Sequence, residues 1–159
     1  MTLTADRTRR GVLRAAGTLA LGAFGGAARA AESLPAPASF ADEVARALAR
    51  RRALAVLAST PGCPWCLLVR RSYLEPLRRE GQPVVEIDMA SSAALRDFTG
   101  APSTQARIAQ GLGVRVAPTV LFLGAGGREL APRIAGVPLP DFYGAYLEQR
   151  LEAANRAAG

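Results

Sequence analysis

Apolar residues along this chain recur with two different periods, and the switches between them divide it into elements. Phe40, Val44, Ala47 and Leu48 form one stripe of a helix. Ser39 can cap that helix, Asp42 completes a capping-box-like start, and the pattern carries to about Arg51. The run over 53–58 is apolar without alternation, as in a strand buried on both faces. The helical period returns at Cys66, with Cys66, Val69, Tyr73, Leu74 and Leu77 on one broad face. Pro76 has no amide hydrogen to donate, so a kink or break is expected near Glu75.

Residues 83–88 read as a second strand, parallel to the first because a helix connects them. The stretch 90–104 is polar, holds Gly100 and Pro102, and is long for a connection, so it is expected as a small insertion near the site or a surface loop. A short helix over 104–112 ends at Gly113. Apolar residues 119–123, a glycine turn at 124–127 and residues 130–134 read as a β-hairpin. Residues 140–154 close the chain as a helix expected to turn Phe142, Tyr146, Leu147 and Leu151 inward. This order predicts an α/β domain with a central mixed sheet flanked by helices.

Composition changes the picture mainly at the N-terminus. Half of the chain is apolar, enough for one compact core. Residues 8–14 are basic and contain the pair Arg9-Arg10, residues 15–28 are weakly apolar and rich in Gly and Ala, and Ala28-Arg29-Ala30 fits a small-x-small cleavage site before Ala31. An export signal of twin-arginine type is therefore expected over 1–30, cleaved near Ala30/Ala31, with the mature chain in the periplasm. Its apolar part is too short and glycine-rich to span a bilayer, and no later segment does better, so no stable membrane insertion of the mature chain is expected. Residues 31–38 are expected as a Pro/Ala-rich linker and the domain as 39–159.

All twenty basic residues are arginine, and five of them (Arg7, Arg9, Arg10, Arg14, Arg29) precede Ala31 together with Asp6. The formal +7 of the whole chain therefore falls to about +3, fifteen arginines against twelve acids, once 1–30 are set aside. Neither that charge nor any aromatic-interleaved basic stretch argues for a nucleic-acid partner. Arg50-Arg51-Arg52 and Arg78-Arg79 read as solvated helix ends that suit the negative end of a helix dipole.

The candidate chemistry lies in Thr60-Pro61-Gly62-Cys63-Pro64-Trp65-Cys66, which holds both cysteines of the chain between a strand and a helix. If Cys63 is the N-cap and Pro64 the first helical residue, the Cys63 sulfur faces unpaired amides and the positive end of the helix dipole. Both favour thiolate, the attacking species in disulfide exchange. Cys63 is thus the expected nucleophile. Cys66, less exposed, is the expected resolving thiol, and the two would close a redox-active disulfide.

A purely structural disulfide at this spacing closes too small a loop to restrict the unfolded chain much. Zinc, in a chain without histidine or further cysteine, would need carboxylates or a second chain to complete its ligands, and c-type haem attachment needs a histidine where Leu67 stands. The alternative kept open is a Cu(I)-binding or copper-site assembly module built on the two thiolates; the leading reading needs no cofactor and no metal. Arg70, four residues after Cys66, reads either as positive potential near the thiols or as an exposed helical arginine.

Two motifs together, Cys63-Pro64-Trp65-Cys66 after a strand and Val114-Arg115-Val116-Ala117-Pro118-Thr119 before the hairpin, make residues 39–159 resemble the thioredoxin superfamily. With the export signal, the likeness is to periplasmic single-domain thiol–disulfide oxidoreductases. The resemblance implies a thioredoxin-like fold, a cis bond at Pro118, and a substrate groove framed by Trp65, Ala117 and Pro118. The expected partners are disulfide-bonded or thiol-containing exported proteins and a membrane electron donor that recharges the pair, and nothing in the sequence demands more than a monomer.

Departures from the family pattern matter as much. Leu57 stands where thioredoxin has a buried aspartate that handles protons, leaving that role to Glu86, Asp88 or a water. The residues between the cysteines are Pro-Trp and not Gly-Pro, and alanine precedes the proline of the second motif. The absence of histidine between the cysteines removes one contributor that strong oxidants use, so the reducing direction is expected.

Overall fold

The computed structural model describes residues 34–159. The expected export signal over 1–30, its cleavage site and the start of the linker lie outside the described residues. Strands β1 (Leu54–Ser59), β2 (Val84–Asp88), β5 (Thr119–Leu123) and β6 (Glu129–Ala135) form one sheet in the order β2-β1-β5-β6. β1 runs parallel to β2 and antiparallel to β5, which pairs antiparallel with β6. The helical crossover between β1 and β2 sets the first relation and the short turn between β5 and β6 sets the last.

All six residues of β1 are buried, which explains their lack of alternation. Ala55 and Leu57 join a core with Val120, Phe122 and Ile134, covered by helix α5 (Tyr143–Ala158) and by Val69 and Leu74 of the helical segment after β1. Leu54, Val56 and Ala58 point the other way, into a core with Leu121 and Leu123 under α1 (Phe40–Ala49) and α4 (Gln105–Gly111). Ser39 caps α1 as expected, its Oγ accepting from the amide of Asp42 at 3.2 Å.

Helix α2 (Pro64–Val69) does not run on regularly to α3 (Glu75–Arg79). Between them Arg70–Leu74 form a π-helical turn in which the amide of Glu75 donates to the carbonyl of Arg70. Pro76 has no amide to give Ser72 and its ring crowds that carbonyl, so the helix widens just before the proline. The break expected near Glu75 thus occupies the five residues preceding it.

Three expectations change. Residues 90–104 contain a hairpin of β3 (Ala94–Arg96) and β4 (Pro102–Thr104), strands too short to show a period in sequence. Asp97 turns that hairpin, accepting from the hydroxyl and amide of Thr99 and the amide of Ala101, and the Thr99 hydroxyl foremost holds its carboxyl below the usual range. Phe98 packs against Phe40 with ring centres 4.8 Å apart and planes tilted by 42°, so the hairpin rests on the N-terminus of α1.

Residues 34–38, expected as part of a linker, lie against the domain. Leu34 is buried in the α5-side core, the Pro35 carbonyl accepts from the amide of Glu86 at 3.0 Å, and the Ala38 carbonyl accepts from Arg96.

The C-terminal helix is out of phase with the expectation. Pro140–Phe142 form a 3-10 turn, and α5 begins at Tyr143. Its inward stripe is Tyr143, Leu147, Leu151 and Ala154; Phe142 is 65% exposed and Tyr146 38% exposed. Gly144 permits this phase, because a Cβ there would stand 3.2 Å from Cε1 of Tyr73, whose ring centre lies 5.0 Å from that of Tyr143. The Tyr143 hydroxyl is buried without a hydrogen-bond partner among the described residues, and burial pushes its pKa up.

This phase predicts unequal truncations. Leu147→Ala is expected to cost about 2–5 kcal/mol of unfolding free energy, whereas Phe142→Ala stays within about 0.5 kcal/mol, both read by urea denaturation. Tyr143→Phe, which removes the unpaired hydroxyl, is expected to raise stability by roughly 1 kcal/mol.

Candidate active site

β1 ends at Ser59, and the chain turns through Gly62, whose φ of 72° is accessible chiefly to glycine. Cys63 then takes the N-cap of α2 with extended backbone angles, and Pro64 opens the helix. The Cys63 Sγ accepts from the amide of Cys66 at 3.1 Å, so sulfur fills the place an oxygen holds in most caps. Cys63 and Cys66 are joined in a disulfide with Cα atoms 5.2 Å apart.

The two sulfurs are not equivalent in their surroundings. Cys66 is 1% exposed beneath the helix, Cys63 is partly exposed, and Trp65 between them is 51% exposed. Reduced, Cys63 would stand at an electropositive helix terminus open to a partner, and Cys66 would face inward from one turn along. Among the described residues no group of three or more His, Cys, Asp or Glu gathers anywhere.

Ala117 and Pro118 are joined by a cis peptide bond. Thr119, the next residue, pairs with Ala58 of β1, so Pro118 emerges at the same end of the sheet as the cysteine turn. The Pro118 carbonyl accepts from the amide of Gly136 at 2.7 Å, and the Thr119 hydroxyl donates to the carbonyl of Val116 at 2.7 Å. Val116 is 49% exposed. Nothing in the sequence pattern pointed to Gly136, which acts through its amide alone.

Arg70 is neither solvated nor simply aimed at the thiols. Its guanidinium grips Glu86 on β2 as a fork, Nε to Oε2 at 2.8 Å and Nη2 to Oε1, and the Ser59 hydroxyl donates to Oε1 at 2.6 Å. Glu86 is 8% exposed. Its neighbour in register is Leu57, on the same face of β1. Asp88 is half-buried at the end of β2 and accepts from the amide of Ala90. Ser59 escaped the sequence reading, although a polar residue closing a strand otherwise apolar from end to end was a signal to follow.

No family model matches this sequence, and no curated protein matches it significantly. Solved structures do match the fold. Thioredoxin O2 from Arabidopsis thaliana, in its oxidised state, superposes with a TM-score of 0.51 at 18% identity, covering 76% of this chain and 96% of its own. A structure described as DsbH oxidoreductase superposes with a TM-score of 0.50 at 14% identity, covering 89% of this chain and 95% of its own. The chain therefore has the thioredoxin fold, with a Cys-x-x-Cys pair at the N-terminus of its second helix.

The unequal burial of the sulfurs predicts unequal reactivity. After mild reduction, iodoacetamide at neutral pH is expected to modify Cys63 at least about tenfold faster than Cys66, as read by peptide mass spectrometry.

Proposed function

We propose that this protein is a thiol–disulfide oxidoreductase that reduces disulfides of exported proteins through Cys63 and Cys66. The observation that carries the reading is the cap of α2: a partly exposed sulfur accepts the Cys66 amide at 3.1 Å, and a buried second sulfur sits within bonding reach. A helix N-terminus favours the charged form of the first sulfur, and burial keeps the second from reacting with solvent thiols.

In the reduced protein the Cys63 thiolate attacks one sulfur of a substrate disulfide. That S–S bond breaks, a mixed disulfide forms, and the other substrate sulfur leaves as thiolate and takes a proton. Cys66, having lost its proton, then attacks the Cys63 sulfur. The mixed disulfide breaks, the second substrate sulfur leaves, and the Cys63–Cys66 bond closes with two electrons passed to the substrate. A dithiol donor must return those electrons, and a membrane-bound one suits the compartment that the twin-arginine-like segment implies.

Trp65, Ala117 and Pro118 frame the groove in this reading. The exposure of Trp65 and Val116 beside them supports an extended apolar contact for the substrate chain. One chain carries every residue the scheme needs, and the protein acts as a monomer.

Cys66→Ser removes the resolving step and leaves the nucleophile. Expressed with its signal, it is expected to accumulate reducible protein adducts at least about tenfold above Cys63→Ser, read on non-reducing gels and identified after reduction. Equal, background-level adducts in both variants overturn the mechanism.

A further inference from the structure

The Arg70–Glu86 pair is not what packing alone would select. Glu86 is 8% exposed and the Arg70 side chain 17% exposed. Removing two charges from water costs about as much as their attraction returns, and two apolar side chains of similar volume would hold α2 against β2 as well. The carboxylate enters the sheet beside Leu57, on the face whose other members form an apolar core. Stability gives no reason for that placement.

Position supplies one. The Arg70 amide donates to the carbonyl of Cys66, so the two residues are one helical turn apart. Side chains at that spacing stand about 5–6 Å apart at Cβ. A guanidinium there favours thiolate over thiol. Reduction of the disulfide adds two electrons and leaves a thiolate at Cys63 and a thiol at Cys66, so uncompensated positive charge nearby favours the reduced form and makes the couple more oxidising. Glu86 meets that charge on its own fork, and Ser59, four residues before Cys63, orients the carboxylate. Ser59, Arg70 and Glu86 also line a cavity of about 460 Å³ with Asp88, Arg78 and Gln105, so solvent damps the effect without abolishing it.

We propose that Glu86 holds the reduction potential of the Cys63–Cys66 couple low by neutralising Arg70 beside the thiols. Arg70 and Glu86 are positioning residues: they act on the sulfurs through charge and touch no substrate. The inference deepens the oxidoreductase reading and rests on it.

The test compares Glu86→Gln, Arg70→Met and the double variant Arg70→Met/Glu86→Leu with the unaltered protein. The readouts are equilibrium against glutathione buffers and thiolate absorbance of the reduced protein across pH. Glu86→Gln, which removes the negative charge from the fork, is expected to shift the equilibrium at least about tenfold toward the reduced protein, about 30 mV. Its thiolate forms at lower pH. Arg70→Met leaves a lone carboxylate and shifts both readouts the opposite way, so it carries the test if Glu86→Gln does not fold. The double variant returns to within about threefold of the unaltered protein.

Folded variants that all stay within about twofold, with unmoved thiolate titrations, overturn the proposal. A pair that does not cycle with glutathione overturns the oxidoreductase reading instead, and the thiolate titration still decides whether Glu86 masks Arg70.

Discussion

The first amides of a helix have no partner within it, and at α2 the chain meets them with the sulfur of Cys63. Much of the surrounding architecture serves to put that sulfur there. β1, buried along its whole length, delivers the chain to the edge of the core, and Gly62 supplies the left-handed turn. Pro64, with no amide to leave unpaired, starts the helix where its fixed φ already suits it. Cys66 is drawn under the helix by the same apolar stripe that buries Val69 and Leu74. The asymmetry between the two sulfurs is therefore a packing result before it is a chemical one.

Holding a short helix in a fixed attitude needs more than its own six residues. An isolated segment of that length has little helical stability in water, so tertiary contacts must supply it. They come from the buried face, where Cys66, Val69 and Leu74 meet the core, while the fork between Arg70 and Glu86 fixes where the end of α2 lies on β2. The same fork places a compensated charge pair one turn from Cys66. One contact thus bears on both the position of the helix that carries Cys66 and the charge near it.

The fold was legible in sequence wherever burial imposed a period. The unbroken apolar run before the cysteines, the glycine turn between the last strands and the Ser39 cap all matched their structural counterparts. What the sequence did not carry was decided by tertiary contact. In the C-terminal helix two adjacent stripes are apolar, Phe142 with Tyr146 and Tyr143 with Leu147. The second is the one buried, with Leu151 and Ala154, and Tyr73 lies close over Gly144 beside it. The β3–β4 hairpin is too short for periodicity to register, and its place is set by Phe98 against Phe40. At the site, the cysteines and Pro118 stood out by motif, but the pairing of Arg70 with Glu86 was invisible because the two lie sixteen residues apart on different elements.

Much of the account rests on Cys63 and Cys66 forming a reversible couple poised to reduce. The most direct measurement is the equilibrium reduction potential of the unaltered protein, with Trp65 fluorescence reporting the state of the pair. The account predicts a single two-electron transition near the thioredoxin value, about −270 mV. A transition near about −120 mV would contradict the reducing direction, and a pair that shows no reversible transition would contradict the mechanism itself.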